Sequence, residues 1–352
     1  LAAPEEEGLS EAAAQVCTTA SKEVYEGQQH KWRPILEGEL EKAREAQEDY
    51  GGVRHREVEQ AVFSIFLHSQ PLGKKVQTAD LMRLVGATRP DKIELQDGFG
   101  TWAQASWFLD ESVLSEVDVE GKGTDLPKTW RLGAEPNLRQ MHDEARRNVA
   151  DDMVESRLLD EIKKEKSLTE GASAAGATVH TLPNRPQDIQ DDGNFHYAVL
   201  GPKAASAPGK PSPEAKRFID ETTAPDRPRT YRNAVVLAVP SKNGLEAARR
   251  AIRDYLAWEG VEDEMDEQDM NPVRKQMLSK NRKRSRQRIS ETIKHAYCVV
   301  VTVSEENEVE AFKVTVDEEP LFNVIKNHER SRIQDSAVTA AALMPGGPYD
   351  LW

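Results

Sequence analysis

Arg229-Thr-Tyr-Arg-Asn233 places two guanidinium groups, a phenol and an amide directly before the apolar run Ala234–Val239. Arg229, Tyr231, Arg232 and Asn233 could together hold a phosphate or a carboxylate, since the guanidinium fork matches either anion. The plainer reading, and the favoured one, is that they cap a strand and pair with acids of the next helix. A second basic group comprises Arg282, Lys283, Arg284, Arg286 and Arg288, preceded by Arg274, Lys275 and Lys280. These could neutralise nucleic-acid phosphates. Yet Glu259, Glu262, Asp263, Glu264, Asp266, Glu267 and Asp269 lie just upstream. A solvated helix paired with its acidic neighbour is therefore favoured. No aromatic residue interrupts the basic run to stack on bases.

Gly201-Pro-Lys-Ala-Ala-Ser-Ala-Pro-Gly-Lys-Pro-Ser212 invites comparison with a phosphate-binding loop. Seven residues separate Gly201 from Gly209, where that motif needs four between its glycines, followed at once by Lys and Ser/Thr. Pro208 and Pro211 also remove amides that a phosphate cradle would use. A surface loop is expected here. The histidines (His30, His55, His68, His142, His180, His196, His295 and His328) show no metal-ligand spacing. No Ser/His/Asp or Cys/His arrangement can be argued from spacing, so no catalytic residue and no metal ligand are assigned. Cys298, within Ala296–Val301, reads as a buried thiol; Cys17 is far from it and makes no motif.

These groups must be positioned by the elements around them. At 352 residues the chain has room for two or three domains. An apolar share of 38% with 31% charged residues suits a strongly helical protein. A formal charge of -14 argues against tight, sequence-independent nucleic-acid binding by the whole chain. No apolar run reaches 18 residues, so no membrane span is expected, and a reducing cytoplasm fits. The chain opens on Leu1 in an acidic stretch and ends on Pro348-Tyr-Asp-Leu-Trp352. Both ends read as cut from a longer protein.

Residues 1–52 read as a helical connector, with Trp32, Ile35, Leu36 and Leu40 at helical spacing. Residues 53–133 carry the order of a winged helix. A helix from about Val53 to His68 has Val58, Ala61, Val62, Ile65 and Phe66 as its stripe. Thr78 caps a second helix, and Asp91 caps a third with Ile93, Leu95, Phe99, Trp102 and Trp107. Gly98 and Gly100 suggest a kink in it. Phe108-Leu109 and Trp130-Arg-Leu132 read as the wing strands, joined through Glu120-Gly-Lys-Gly123. The third helix carries Asp91, Lys92, Glu94 and Asp97, too acidic for a phosphate-hugging reader of DNA. Residues 134–166 read as one long linking helix with Met141, Ala145, Val149, Met153, Leu158 and Ile162 near helical spacing. Residues 177–352 alternate strands (Ala177–Leu182, His196–Leu200, Ala234–Val239, Tyr297–Val303) with helices, the pattern of an α/β domain with a mostly parallel sheet.

Several segments then carry a likeness. They are Ile65-Phe-Leu-His-Ser-Gln-Pro-Leu-Gly-Lys, Thr88-Arg-Pro-Asp-Lys-Ile-Glu-Leu95, Ser106-Trp-Phe-Leu-Asp-Glu111, Glu135-Pro-Asn-Leu138, Tyr231-Arg-Asn-Ala-Val-Val-Leu237, Asp254-Tyr-Leu-Ala-Trp258, Ala296–Glu305 and Gly346–Trp352. In order and spacing the chain from Trp32 onward resembles the domain-of-unknown-function 499 family of large AAA-like P-loop ATPases. Gln96-Asp-Gly-Phe-Gly100 departs from the regular helix expected there. The resemblance implies a prokaryotic ATP-binding parent that sits beside DNA methyltransferases and helicases in anti-phage or DNA-modification gene clusters. It implies ATP and Mg bound by an ATPase core N-terminal to this chain, and no cofactor within it. The chain would be the accessory, non-catalytic portion that couples this core to a protein partner or to DNA. A protein-interaction scaffold without ATPase function, or an independent DNA-binding winged helix, are the alternatives.

Overall fold

The computed structural model describes residues 9–22, 31–70, 74–114, 126–222, 227–265, 272–331 and 333. The chain divides into two compact units, one of Leu1–Ala145 with Val261–Leu278 and one of Arg146–Gly260 with Ser279–Trp352. The class is mixed helix and sheet. Among the described residues no helix is long and apolar enough to cross a membrane.

The first unit opens with α1 (Glu11–Ala20) and α2 (Trp32–Glu48), followed by α3 (Glu57–Ser69). The short strand β1 (Val76–Gln77) leads into α4 (Thr78–Val85), and α5 (Lys92–Ala105) follows. One turn of helix, α6 (Glu111–Leu114), precedes strand β2 (Thr129–Trp130) and α7 (Leu138–Asn148). The expected stripe of α3 is fully buried: Val58, Ala61, Val62, Ile65 and Phe66. Cys17, Trp32, Ile35, Leu36 and Leu40 join the same core. The segment set apart in sequence as a connector at 1–52 thus shares its packing with residues 53–133. The expected wing loop Glu120-Gly-Lys-Gly123 lies outside the described residues.

Asp91 does cap α5, accepting from the N–H of Ile93 at 2.9 Å and of Glu94 at 3.0 Å. The kink expected at Gly98 and Gly100 is not there; α5 runs unbroken. Gly98 serves packing instead. A Cβ at this position would lie 3.1 Å from Val58 Cγ2, so its absence lets α5 approach α3 closely. Ile93 and Trp107, expected on the apolar stripe, are exposed, while Leu95, Phe99 and Trp102 are buried. β1 pairs antiparallel with β2 through Val76 and Trp130, and Leu109 bridges Leu132.

The long helix expected over 134–166 is two helices, α7 and α8 (Asp151–Lys164). Ala150 is extended (φ -70, ψ 143) and starts the second. The charges explain the break. Arg146 and Arg147 sit in the last turn of α7, and Asp151 and Asp152 in the first turn of α8. Each pair suits a helix end better than a helix middle. The buried stripe of α8 is Val154, Leu158 and Ile162, and Met153 faces solvent.

The second unit is built on five strands: β3 (Thr178–Thr181), β4 (His196–Val199), β5 (Val235–Val239), β6 (Val299–Val303) and β7 (Val309–Lys313), in that spatial order. Helix α9 (Pro213–Asp220) joins β4 to β5, and α10 (Lys242–Glu264) with α11 (Pro272–Ala296) joins β5 to β6. Helix α12 (Leu321–Asn327) follows β7. The pairings β3–β4 and β4–β5 are parallel, and β5–β6 and β6–β7 are antiparallel. The sheet is therefore mixed and not mostly parallel. One crossover helix returns the chain to the end where the previous strand began, whereas the pair α10 and α11 returns it to the other end. β7 then comes back through a tight turn in which Ser304 N–H donates to Glu308 O at 2.8 Å and Asn307 takes φ 60.

Both faces are covered, which is why the strands read as continuous apolar runs. Tyr197, Val199, Val236, Ala238, Val300 and Phe312 pack against α8, α10, α11 and α12. Ala198, Val235, Leu237, Val299 and Val301 pack against α9 and Ile189. Cys17 is the buried thiol; Cys298, just ahead of β6, is only half-buried, contrary to the expectation from its apolar run. Gly244, in the first turn of α10, meets the end of α11. An added Cβ would lie 2.5 Å from Ala296 Cα and 2.9 Å from its Cβ. Gly244→Ala should therefore lower stability by about 1–3 kcal/mol through overpacking, despite the better helix propensity of alanine. A thermal melt reads this directly, and an unchanged or raised midpoint would refute it.

Candidate functional site

The four residues singled out before β5 do not converge on one anion. Arg229 is only 3% exposed. Its Nη1 donates to the carbonyls of Ile189 and Gln190 at 3.1 and 3.0 Å, and its Nη2 to those of Pro186 and Glu221 at 3.1 and 3.2 Å. The guanidinium is consumed in tying two loops together. Burial pulls its pKa below the ordinary arginine range, and Asp191 opposes that shift. Arg232 turns elsewhere. It pairs with Asp220 at 2.6 Å and donates to Asn307 O and Oδ1 at 2.9 and 3.0 Å. The acid it meets belongs to the preceding helix, α9, where the sequence suggested the next one. Tyr231 lies exposed over Gly193, and Asn233 is exposed.

What this corner of the sheet does assemble is a chain of imidazoles that sequence spacing could not show. His196 Nε2 lies 2.9 Å from Asp192 Oδ1, and His196 Nδ1 lies 3.0 Å from His180 Nε2. The ring centroids are 5.2 Å apart. Strand register explains it: Thr178 pairs with His196 and His180 with Ala198. The two histidines are thus diagonal neighbours on one face of β3 and β4. His196 is 1% exposed and His180 half-buried. The turn before β4 holds Asp192, which accepts from Asn194 N–H at 3.0 Å and from its Nδ2 at 2.9 Å. Those bonds, Asn194 first and then His196, hold the Asp192 carboxyl well below the usual carboxylate range. Asp191 beside it accepts from Thr230 and Tyr231 N–H at 2.8 and 2.9 Å, which fixes the turn against the Arg229 loop.

The ionised Asp192 sets the tautomers along this chain. It can only accept, so His196 carries its hydrogen on Nε2. With both rings neutral, the bare Nδ1 of His196 accepts from Nε2–H of His180. This leaves Nδ1 of His180 bare, with no hydrogen-bond partner among the described residues. The arrangement is that of a base backed by a second imidazole and a carboxylate.

The loop at Gly201–Ser212 does not fit a nucleotide phosphate. Its amides are already spent. Those of Ala204, Ala205, Ser206, Ala207, Gly209 and Lys210 donate to backbone carbonyls, and that of Ser212 to Ser206 Oγ at 2.9 Å. Ser212 Oγ in turn caps α9 by accepting from Ala215 N–H at 3.1 Å. Too few N–H groups remain to wrap a phosphate, so no chemistry of ATP is routed through this loop.

The basic run lies on α11. Arg286 pairs with Glu161 at 2.6 Å and Arg282 with Glu259 at 4.0 Å. The Arg286 guanidinium also lies 5.6 Å from the Tyr255 ring centroid. Lys283, Arg284 and Arg288 face solvent. Arg282 and Arg286 are therefore drawn into ion pairs on their own unit, Arg282 with the acidic stretch upstream. Asp266, Glu267 and Asp269 of that stretch lie outside the described residues. Among the described residues no group of three or more His, Cys, Asp or Glu could hold a metal ion.

Comparison of the chain with family models, with curated proteins and with solved structures finds no match.

Proposed function

We propose that the chain is the accessory, non-catalytic portion of an ATP-binding AAA-like ATPase of a prokaryotic defence or DNA-modification system. In this reading residues 53–133 are a winged helix that couples the ATPase core to a protein partner, such as a DNA methyltransferase or helicase. ATP and Mg would be bound by that core.

The observation that carries the reading is the exposed start of α5. The order α3, β1, α4, α5, then two antiparallel segments meeting at Leu109 and Leu132, supports reading α5 as the recognition helix of that fold. Its leading residues Asp91, Lys92 and Ile93 are exposed, Ile93 at 70%. An acid and a bare isoleucine suit a protein surface, where a phosphate backbone would call for cations. The ATPase part of the reading rests on the resemblance of the segments from Trp32 onward.

The chain mixed with MgATP should show no phosphate release above background, and a short DNA duplex should shift weakly or not at all. Turnover above background would overturn the accessory reading. Tight, salt-dependent duplex binding that is lost on R282E, K283E and R284E would move the function to DNA binding through α11. The gene's upstream reading frame should encode Gly-x-x-x-x-Gly-Lys-Ser/Thr after a strand.

A further inference from the structure

A groove of about 460 Å³ runs along the outer edge of β7, a size within the range of small-ligand sites. β7 is its floor, and strand register decides what that floor offers. Just beyond the strand ends, Val314 N–H donates to Cys298 O at 2.9 Å and Ser304 N–H to Glu308 O at 2.8 Å. Antiparallel ladder bonds alternate along a strand, so the backbone groups of Val309, Ala311 and Lys313 point away from β6. Gly209 N–H takes the Ala311 carbonyl at 2.7 Å. The N–H groups of Ala311 and Lys313 have no hydrogen-bond partner among the described residues, although Ala311 is only 4% exposed. A shielded amide of this kind is normally met by a ligand or by water.

Two banks rise from this floor. Pro208 and Gly209 form one, and His328–Arg330 the other. The second bank is fastened where the His328 ring stacks on Phe312, centroids 4.6 Å apart at 20°, and where Arg330 N–H donates to His328 Nδ1 at 3.2 Å. Charged side chains line the groove: Glu310 and Lys313 from the floor, Glu329 and Arg330 from the bank. None of them is in an ion pair among the described residues. Arg217, Arg232, Arg249 and Arg286 of the same unit are all paired. Open charges of both signs beside unpaired amides suit a ligand that carries both charges and also accepts hydrogen bonds.

We propose that this groove binds a short zwitterionic peptide, with its ammonium at Glu310, its carboxylate at Lys313 and a peptide carbonyl on the Ala311 N–H. Glu329 and Arg330 supply the same two charges from the facing bank. Length selects the ligand. Glu310 and Lys313 lie three residues apart, about 10 Å along an extended strand, and a chain of three residues spans at most about 10 Å. A single amino acid is too short to reach both. A longer strand is stopped by Gly209, which already holds the Ala311 carbonyl and interrupts any continuous ladder.

The test is a titration of the whole chain with trialanine, followed by NMR at the backbone amides of Ala311 and Lys313. Saturable shifts at both amides are expected, with a Kd on the order of 1 mM. Acetylating the amino end or amidating the carboxyl end should each weaken binding by about fivefold, the size of one exposed ion pair. Added salt should weaken it as well. Glu310→Gln should bind the free peptide as poorly as the acetylated one and make no further distinction between them; Lys313→Gln should do the same for the amidated one. Both variants should melt as the wild type does, because neither side chain has an ion-pair partner to lose. No saturable shift by about 10 mM, equal shifts with the doubly capped peptide, or shifts centred elsewhere on the chain would each overturn the site. The caps change only the ligand, so they decide the matter even if a substituted chain does not fold.

Discussion

Glu39→Ala should cost about 3–5 kcal/mol of stability, read as a lower urea midpoint by tryptophan fluorescence. Glu39 is fully buried on α2. It accepts from Trp102 Nε1 at 3.1 Å and from the backbone N–H groups of Trp107 and Phe108 at 2.8 and 3.2 Å. Lys42 Nζ adds a fourth donor at 3.1 Å. Removing the carboxylate strands an indole and two amides where water cannot replace it, and each orphan costs about 1–3 kcal/mol. The damage falls on the turn from α5 into the Leu109 bridge, and on the Trp102–Trp130 contact, whose ring centroids are 5.6 Å apart. The near-UV circular dichroism should weaken accordingly. Glu39→Gln should lie between, since it keeps one acceptor oxygen and turns an amide toward the other donors. A loss below about 1 kcal/mol for the alanine variant, the size of an average substitution, would show that the turn finds other acceptors.

Arg229→Met should be nearly as damaging to the second unit, again by about 3–5 kcal/mol, because the apolar stem is kept while four carbonyls lose their donor. Arg229→Lys should recover little. An ammonium is a single point of charge and cannot span the carbonyls of Pro186, Ile189, Gln190 and Glu221 as a planar fork does. This pair of variants separates a structural tie from an anion site. If both fold with wild-type melting temperatures and lose affinity for phosphate, the guanidinium was serving a ligand. The expected result is the reverse, with stability lost and no phosphate-dependent shift in the wild-type melt.

The two residues differ in how far the sequence could reveal them. Arg229 stood out as a cation ahead of an apolar strand, and only its partners were missed, since carbonyls of distant loops leave no signature. Glu39 was invisible. It sits in a helix with Glu37, Glu41 and Glu45, and nothing in that run marks one glutamate as the residue that turns inward. Periodicity served well where a single face is apolar, as in α3, and capping chemistry placed the start of α5 at Asp91. It failed where two signals compete. The run through Val149 kept helical spacing, but opposing charges at 146–147 and 151–152 ended one helix and began another. β7 went unread because Val309-Glu-Ala-Phe-Lys313 mixes polar and apolar residues and follows a turn without glycine. Sheet direction was misjudged because two helices between β5 and β6 look, in sequence, much like one interrupted crossover. The Asp192–His196–His180 contact depends on the register of two strands, which the spacing of His180 and His196 does not encode.

One small contact in the loop at Gly201–Ser212 reaches beyond that loop. Gly209, held at φ 72, donates its N–H to Ala311 O of β7 at 2.7 Å. β7 is the outermost strand on its side, where an open row of backbone groups would template the strand of another molecule. A second chain laid along β7 would have to dislodge Gly209 first, and the turn behind it from Ala207 to Lys210. The loop that fails as a phosphate cradle thus covers part of the open edge of the sheet.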